Sequence, residues 1–265
     1  MFRPLLLFLI LLISLFPRPL YAGSFKVVPI KLFLDAKTKT SAVTVTNNSN
    51  EKVTLQLEAL EWSQNEKGED FYAPTKEILF FPKIFSLEKN EEKIVRVGYQ
   101  GPPSGGREKT YRLYFEELPV SKPGETAIKM ALRIGVPIFI TPLKELKEKA
   151  IENMEFYEGR LRVKIKNGGN RHFIVGALHA TGLDLSGAEV FSKESGGWYV
   201  LAGASKTFFV DIPEEGCLKS KVFRMAVKVD PETMEAKSEV DQAQCAKKPE
   251  DSLENPKKPE KKAPR

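Results

Sequence analysis

Residues 126–141 read TAIKMALRIGVPIFIT, and seven successive even positions are apolar: Ile128, Met130, Leu132, Ile134, Val136, Ile138 and Ile140. Alternation at period two belongs to a β-strand, whose neighbouring side chains point to opposite faces. The odd positions are mixed: Ala127, Lys129, Ala131, Arg133, Gly135, Pro137 and Phe139. One face of a single strand therefore carries an unbroken apolar stripe. The run is about twice the length of an average strand. Pro137 has no N–H for a ladder, which predicts an edge position near it. A long apolar edge invites pairing with other chains. Such a strand has two uses. It can sit in the middle of a sandwich, or it can be offered to a partner, pairing with that partner's incomplete sheet and filling its groove with alternate side chains.

The chain begins MFRPLLLFLILLISLFPRPLYA, with a cation at Arg3, an apolar run from Leu5 to Phe16 and a small residue at Ala22. This is the pattern of a cleaved secretory signal over residues 1–22. Its apolar run is too short for an easy membrane span. No second long apolar run follows, so no stable membrane insertion is expected after cleavage. The formal net charge of +6 is unevenly spread: Arg3 and Arg18 lie in the signal, and residues 247–265 hold seven Lys/Arg against four acids. No basic stripe with interleaved aromatics marks the remainder, so nucleic acid is not an expected partner.

Two cysteines occur, Cys217 and Cys245. In an exported protein such a pair is a disulfide candidate, the alternative being two buried thiols. Strand-like stretches run from Lys219 to Val229 and from Glu235 to Asp241, joined by the turn Asp230-Pro231-Glu232-Thr233. Antiparallel pairing about that turn brings the two cysteines together at the open end of the hairpin.

Strand patterns recur along the first half: Phe25 to Asp35, Thr40 to Thr46, Lys52 to Trp62, Glu77 to Phe81, Glu92 to Tyr99, Thr110 to Leu118 and the opening stripe. Pro29 marks an edge or a switch between sheets. Asn47-Asn48-Ser49-Asn50 is a turn, Ser63 to Asp70 a polar loop, and Phe85 and Leu87 continue the apolar pattern after Phe81. Many short strands and no long helical stretch predict an all-β fold, a sandwich of immunoglobulin type. The charged stretch PLKELKEKA at 142–150 reads as a helical turn or an exposed linker. It divides a first domain at 23–142 from a second, smaller sandwich at 151–245, with 143–150 as linker. In the second half, strands are expected at Arg160 to Lys166, His172 to Thr181, Trp198 to Leu201 and Lys206 to Ile212, with Gly182 to Ser195 looser. Residues 246–265 are Lys/Glu/Pro-rich and are expected to form a disordered basic tail.

No enzyme signature is present: no Gly-x-Ser-x-Gly, no phosphate loop and no dinucleotide fingerprint. The histidines, His172 and His179, are seven apart, so on one straight strand they face opposite ways and do not share a metal. The expectation is a chain with no catalytic residues, no metal and no cofactor.

The segments IVRVGYQGPP, ending in Pro103, and KTYRLYFEELP, at 109–119, carry a resemblance. They are similar to the signature of the periplasmic chaperones of the chaperone–usher pathway, which assemble fimbriae (pili). PIKLFLDAKTKTSAVTVTN and MALRIGVPIFITP fit the same template, over roughly Phe25 to Cys245. The resemblance implies two immunoglobulin-like domains in a boomerang, exported to the periplasm. It implies pilus subunits lacking a last strand as partners, and delivery to an outer-membrane usher. The long strand would fill the subunit's gap, with Ile128, Met130, Leu132 and Ile134 as donor side chains. Free chaperone would be open to self-association through that strand.

The family also implies two cations that hold the subunit's C-terminal carboxylate between the domains. Here the first-strand arginine is matched by Lys31 and the long-strand lysine by Pro137. Lysine keeps the charge without the bidentate fork, and proline has none. Arg112 and then Arg133 are candidates for the missing role, and the V-P-I-F ending looks like the divergent, non-classical branch. A secreted two-domain adhesion or structural module is the competing expectation. It would keep its long strand permanently paired.

Overall fold

The computed structural model describes residues 25–119 and 130–245. The expected signal at 1–22, the donor residue Ile128 and the tail at 246–265 lie outside the described residues. The first half forms β1 (Phe25–Val28), β2 (Leu32–Leu34), β3 (Thr40–Asn47), β4 (Val53–Gln64), β5 (Asp70–Pro74), β6 (Ile78–Phe81), β7 (Ile84–Leu87), β8 (Glu92–Tyr99), β9 (Lys109–Glu117) and β10 (Arg133–Ile140). One sheet has the order β1-β3-β8-β6, the other β2-β10-β9-β4-β5 with β7 also on β4. Residues 25–35 are thus two strands in two sheets, parted at the cis Val28–Pro29 bond. Of the two roles open to Pro29, it takes the switch.

Alternation explains the sandwich. Val43, Val45, Val53, Leu55, Val95, Val97, Leu113 and Phe115 come from inward positions of both sheets and are buried together. Sheets that bury one face each in this way pack face to face. Tyr111 lies in this core, its hydroxyl bonded to Glu77. Burial first, and that bond second, push its phenol far above the usual range, so it stays neutral.

The second half forms β11 (Lys149–Tyr157), β12 (Arg160–Asn167), β13 (Phe173–Ile174), β14 (Ala177–Leu183), β15 (Glu189–Gly196), β16 (Tyr199–Val200), β17 (Ser205–Asp211), a short helix α1 (Glu214–Lys219), β18 (Val222–Val229) and β19 (Glu232–Glu239). Its sheets are β11-β12-β17, β15-β14-β18-β19 and the pair β13-β16. Leu161, Val163, Ile165, Leu178, Phe223, Met225 and Val227 form its core. No helix among the described residues is long and apolar enough to cross a membrane.

Several sequence expectations are corrected here. β11 starts inside the expected linker, leaving 143–148 as irregular, exposed chain held by Asn170, which bonds Lys144 O and the backbone of Leu146. Most of β15 lies within the expected loose stretch 182–195. The expected strand His172 to Thr181 is broken at Val175-Gly176, so the histidines do not share one straight strand. His172 Nδ1 lies 2.6 Å from the buried Glu108, and His179 Nδ1 lies 3.4 Å from Glu194. The hairpin β18–β19 turns on Asp230-Pro231 alone, with Val229 opposite Glu232. Lys219 ends α1 instead of opening a strand. Cys217 and Cys245 are joined, with Cα atoms 5.6 Å apart, through α1 and the 3-10 turn Gln242–Gln244.

Two compact units result. Their described parts are 25–61, 74–101, 111–119 and 130–139 for the first, and 62–73, 102–110 and 140–245 for the second.

Each unit is closed by the same device. Asn47 ends β3 fully buried; its Nδ2 donates to Glu51 O (2.8 Å) and Leu87 O (3.0 Å), and its Oδ1 accepts from Ser49 N (2.8 Å). Asn167 ends β12 in the same way, donating to Arg171 O (2.8 Å) and Val200 O (3.0 Å) and accepting from Gly169 N (3.0 Å). A buried amide that satisfies carbonyls of two segments ties a turn to the opposite strand. Asn47→Ala is expected to cost roughly 2–4 kcal/mol, because it strands those carbonyls. Asn48→Ala, at the exposed neighbour, should be near neutral. Urea unfolding of the two variants beside the unaltered chain checks this.

Candidate functional site

β10 is where one apolar stripe passes from the interior to the surface. Ile140, Ile138 and Val136 are 2%, 0% and 1% exposed; Ile134 and Leu132 are half-buried; Met130 is 90% exposed. All share the parity of the same face, so the residues that build the core and those that leave it are set by one alternation. The regular strand covers 133–140, not the whole expected run. The reason lies in its neighbour: β9 ends at Glu117, whose N–H donates to Leu132 O (2.9 Å), and the chain then reaches Leu118-Pro119. Met130, Ala131 and Leu132 follow outside the regular strand.

Among the described residues β10 has β9 on one side and the three-residue β2 on the other. Phe33 of β2 stacks on Phe139 with ring centroids 5.4 Å apart, which places β2 against the C-terminal half of β10. Pro137 is therefore buried in an inner strand, not on the expected edge strand. β2 is shorter than β10, so the open length of β10 lies toward its N-terminal half.

The three candidate cations fall on one sheet. Lys31 immediately precedes β2 and is half-buried. Arg112 is half-buried in the middle of β9, opposite Leu60 of β4. In the order β2-β10-β9, these two therefore flank the long strand, and Pro137 on β10 supplies no charge. Arg133 is engaged within the chain. Its guanidinium lies 3.0 Å from Glu58 Oε2 and 3.4 Å from Glu116 Oε2, and 4.0 Å from the centre of the Tyr114 ring.

A second surface escaped the sequence reading. The outward side chains of β1-β3-β8-β6 align in rows: Val28, Thr44 and Ile94; then Ala42, Arg96 and Phe81; then Thr40, Gly98 and Leu79. Val28, Ile94, Phe81 and Leu79 are large apolar side chains left exposed. Ala42, Arg96, Gly98, Leu79 and Phe81 border a groove of about 1120 Å³. The signal was present in the sequence as apolar residues on the polar parity of β6 and β8.

Introducing a charge along the stripe should have opposite results at its two ends. Met130→Asp is expected to leave the melting temperature within about 2 °C, since an exposed site costs little. Ile138→Asp buries an unpaired carboxylate and should prevent folding or remove several kcal/mol. Thermal unfolding followed by circular dichroism distinguishes the two.

Residues 24–145 match the family model of the pili and flagellar-assembly chaperones, PapD N-terminal domain. No curated protein matches the sequence. Among solved structures, the chain is similar to the CsuC–CsuE chaperone–tip adhesion subunit pre-assembly complex from archaic chaperone–usher Csu pili of Acinetobacter baumannii. That match has 18% identity and a TM-score of 0.57, over 81% of this chain and 98% of the other. The YadV chaperone is similar at 10% identity and a TM-score of 0.55, over 82% of this chain and all of the other, 100%. At these identities the likeness is one of fold.

Proposed function

We propose that this chain, whose residues 24–145 belong to the family of pili and flagellar-assembly chaperones, is a periplasmic chaperone that complements pilus subunits with a donated strand and passes them to an outer-membrane usher. The observation that carries this is the stripe on β10, which is core at Val136 to Ile140 and solvent-exposed at Met130. A subunit lacking a strand exposes a groove and an unpaired sheet edge. The backbone of the emerging strand offers the missing hydrogen bonds. Met130, Leu132 and Ile134, with Ile128 continuing their parity in the sequence, fill the groove. Each such side chain contributes about 1.5–3 kcal/mol when buried, before ordering costs. No catalytic step is required, because the next subunit's own strand replaces the donated one.

Arg112 and Lys31 are the cations proposed for the subunit's C-terminal carboxylate. They flank β10 in the sheet, and neighbouring strands lie about 4.8 Å apart. Arg112 carries the larger share, because a guanidinium can hold a carboxylate with two parallel hydrogen bonds. With Met130→Asp and Leu132→Asp combined, co-expression with a strand-deficient subunit should recover no complex, while the chaperone itself stays folded. Arg112→Ala should weaken the complex by about 1.5–3 kcal/mol, the worth of a charge-assisted bond, and Lys31→Ala by less. Equal recovery of a one-to-one complex with the doubly charged variant would sink strand donation and favour an adhesion module.

Delivery requires a surface that stays open while a subunit occupies β10. The outer face of β1-β3-β8-β6, with Val28, Ile94, Phe81 and Leu79 around Arg96, is proposed for the usher. Ile94→Glu with Phe81→Ser should leave subunit capture intact and abolish pilus assembly in cells. Loss of capture by the same variant would assign that face to the subunit instead.

A further inference from the structure

We infer that Arg133 is a positioning residue which clamps the root of the donated strand, in place of the carboxylate ligand that its sequence position suggests; this rests on the strand-donation function proposed above. Arg133 is the first residue of β10, one step after Leu132, whose carbonyl accepts from the N–H of Glu117. Its guanidinium reaches Glu58 on β4 at 3.0 Å and Glu116 on β9 at 3.4 Å, so one side chain ties three strands together. It also covers the Tyr114 ring at 4.0 Å from the centroid. Gly135 makes room for that ring: a Cβ there would sit 2.9 Å from Tyr114 Cε1 and 3.6 Å from Arg112 Cδ. Two acids already neutralise the cation, and the planar guanidinium is held by both of them and by the ring. A lysine could not reproduce this arrangement, because its ammonium is a point charge without the fork or the stacking face.

The place of the clamp gives it a purpose. Below it, Val136, Ile138 and Ile140 are locked by burial; above it, Met130 is exposed. Without a fixed root, the emerging residues would sample many directions and would have to be ordered when a subunit binds. A slip of one residue would also turn every donated side chain to the wrong face. Arg133 sits at the boundary where core packing stops fixing the strand.

The test is Arg133→Met, which keeps the stem and removes the charge, beside Glu58→Gln. Partly exposed ion pairs and a cation–π contact of this kind shift local populations modestly. Amide hydrogen exchange at Ile134 and Val136 in the free chain is therefore expected to quicken about 3- to 10-fold in Arg133→Met and Glu58→Gln, with the melting temperature almost unchanged. Subunit association should slow by a similar factor, and the difference from the unaltered chain should shrink in high salt. Unchanged exchange and unchanged association in Arg133→Met overturn the clamp. So does tighter subunit binding in Glu58→Gln, since a direct ligand would gain from release of its internal partner. If exchange quickens but the unaltered chain captures no subunit, the clamp stands and strand donation fails.

Discussion

Alternation along one strand is the constraint on which the rest depends. Val136, Ile138 and Ile140 are fully buried, and a strand has only two faces. Their packing therefore dictates which side chains emerge beyond Arg133, although none of the three touches solvent. The ladder with β9 holds this register as far as Leu132. The buried part of the strand thus specifies which side chains its exposed part presents. The same logic explains why Pro137 is tolerated: with β2 only three residues long, the sheet does not ask every residue of β10 to donate.

The sequence showed the long regular strands well, because one parity of β3, β4, β8 and β9 carries apolar side chains at several successive positions. Others were harder. β5 reads DFYAP and ends in proline; β7 is four residues; β15 reads EVFSKESG, with polar groups on both parities. Such segments become strands because a neighbour offers a ladder. β7 is held by β4, with two other strands between them in the chain, and β15 by β14, the strand just before it. The break between β13 and β14 was hidden for a related reason, since Gly176 bonds to Lys228, far along the sequence.

The site was legible in part. The stripe could be read from residue types alone, while the side chains expected to leave the core came from the family resemblance. The charges around it could not. Arg133 was an open cation in the sequence, yet Glu58, 75 positions away, is one of its partners. Lys31 and Arg112 are far apart in the chain and are brought to either side of β10 by sheet order alone. Sequence pattern resolves local parity, whereas electrostatic pairing is a matter of tertiary neighbours. The buried amide of Asn47 was read only as part of a turn for the same reason: the turn is local, and a carbonyl that holds it belongs to β7.

Ile134 stands at the point where burial gives way to exposure, half-covered by its own unit. In the proposed role its remaining surface is covered by the subunit, so one side chain belongs to two hydrophobic cores at once. Its size and shape then answer to two separate selections, one for the free protein and one for the complex. A substitution that improves the fit to one would be penalised by the other. Met130 has no such conflict and is free to follow its partners. Drift among related chains should therefore be greatest at the exposed tip of the stripe and fall toward its root, a gradient of evolutionary freedom laid along a single strand.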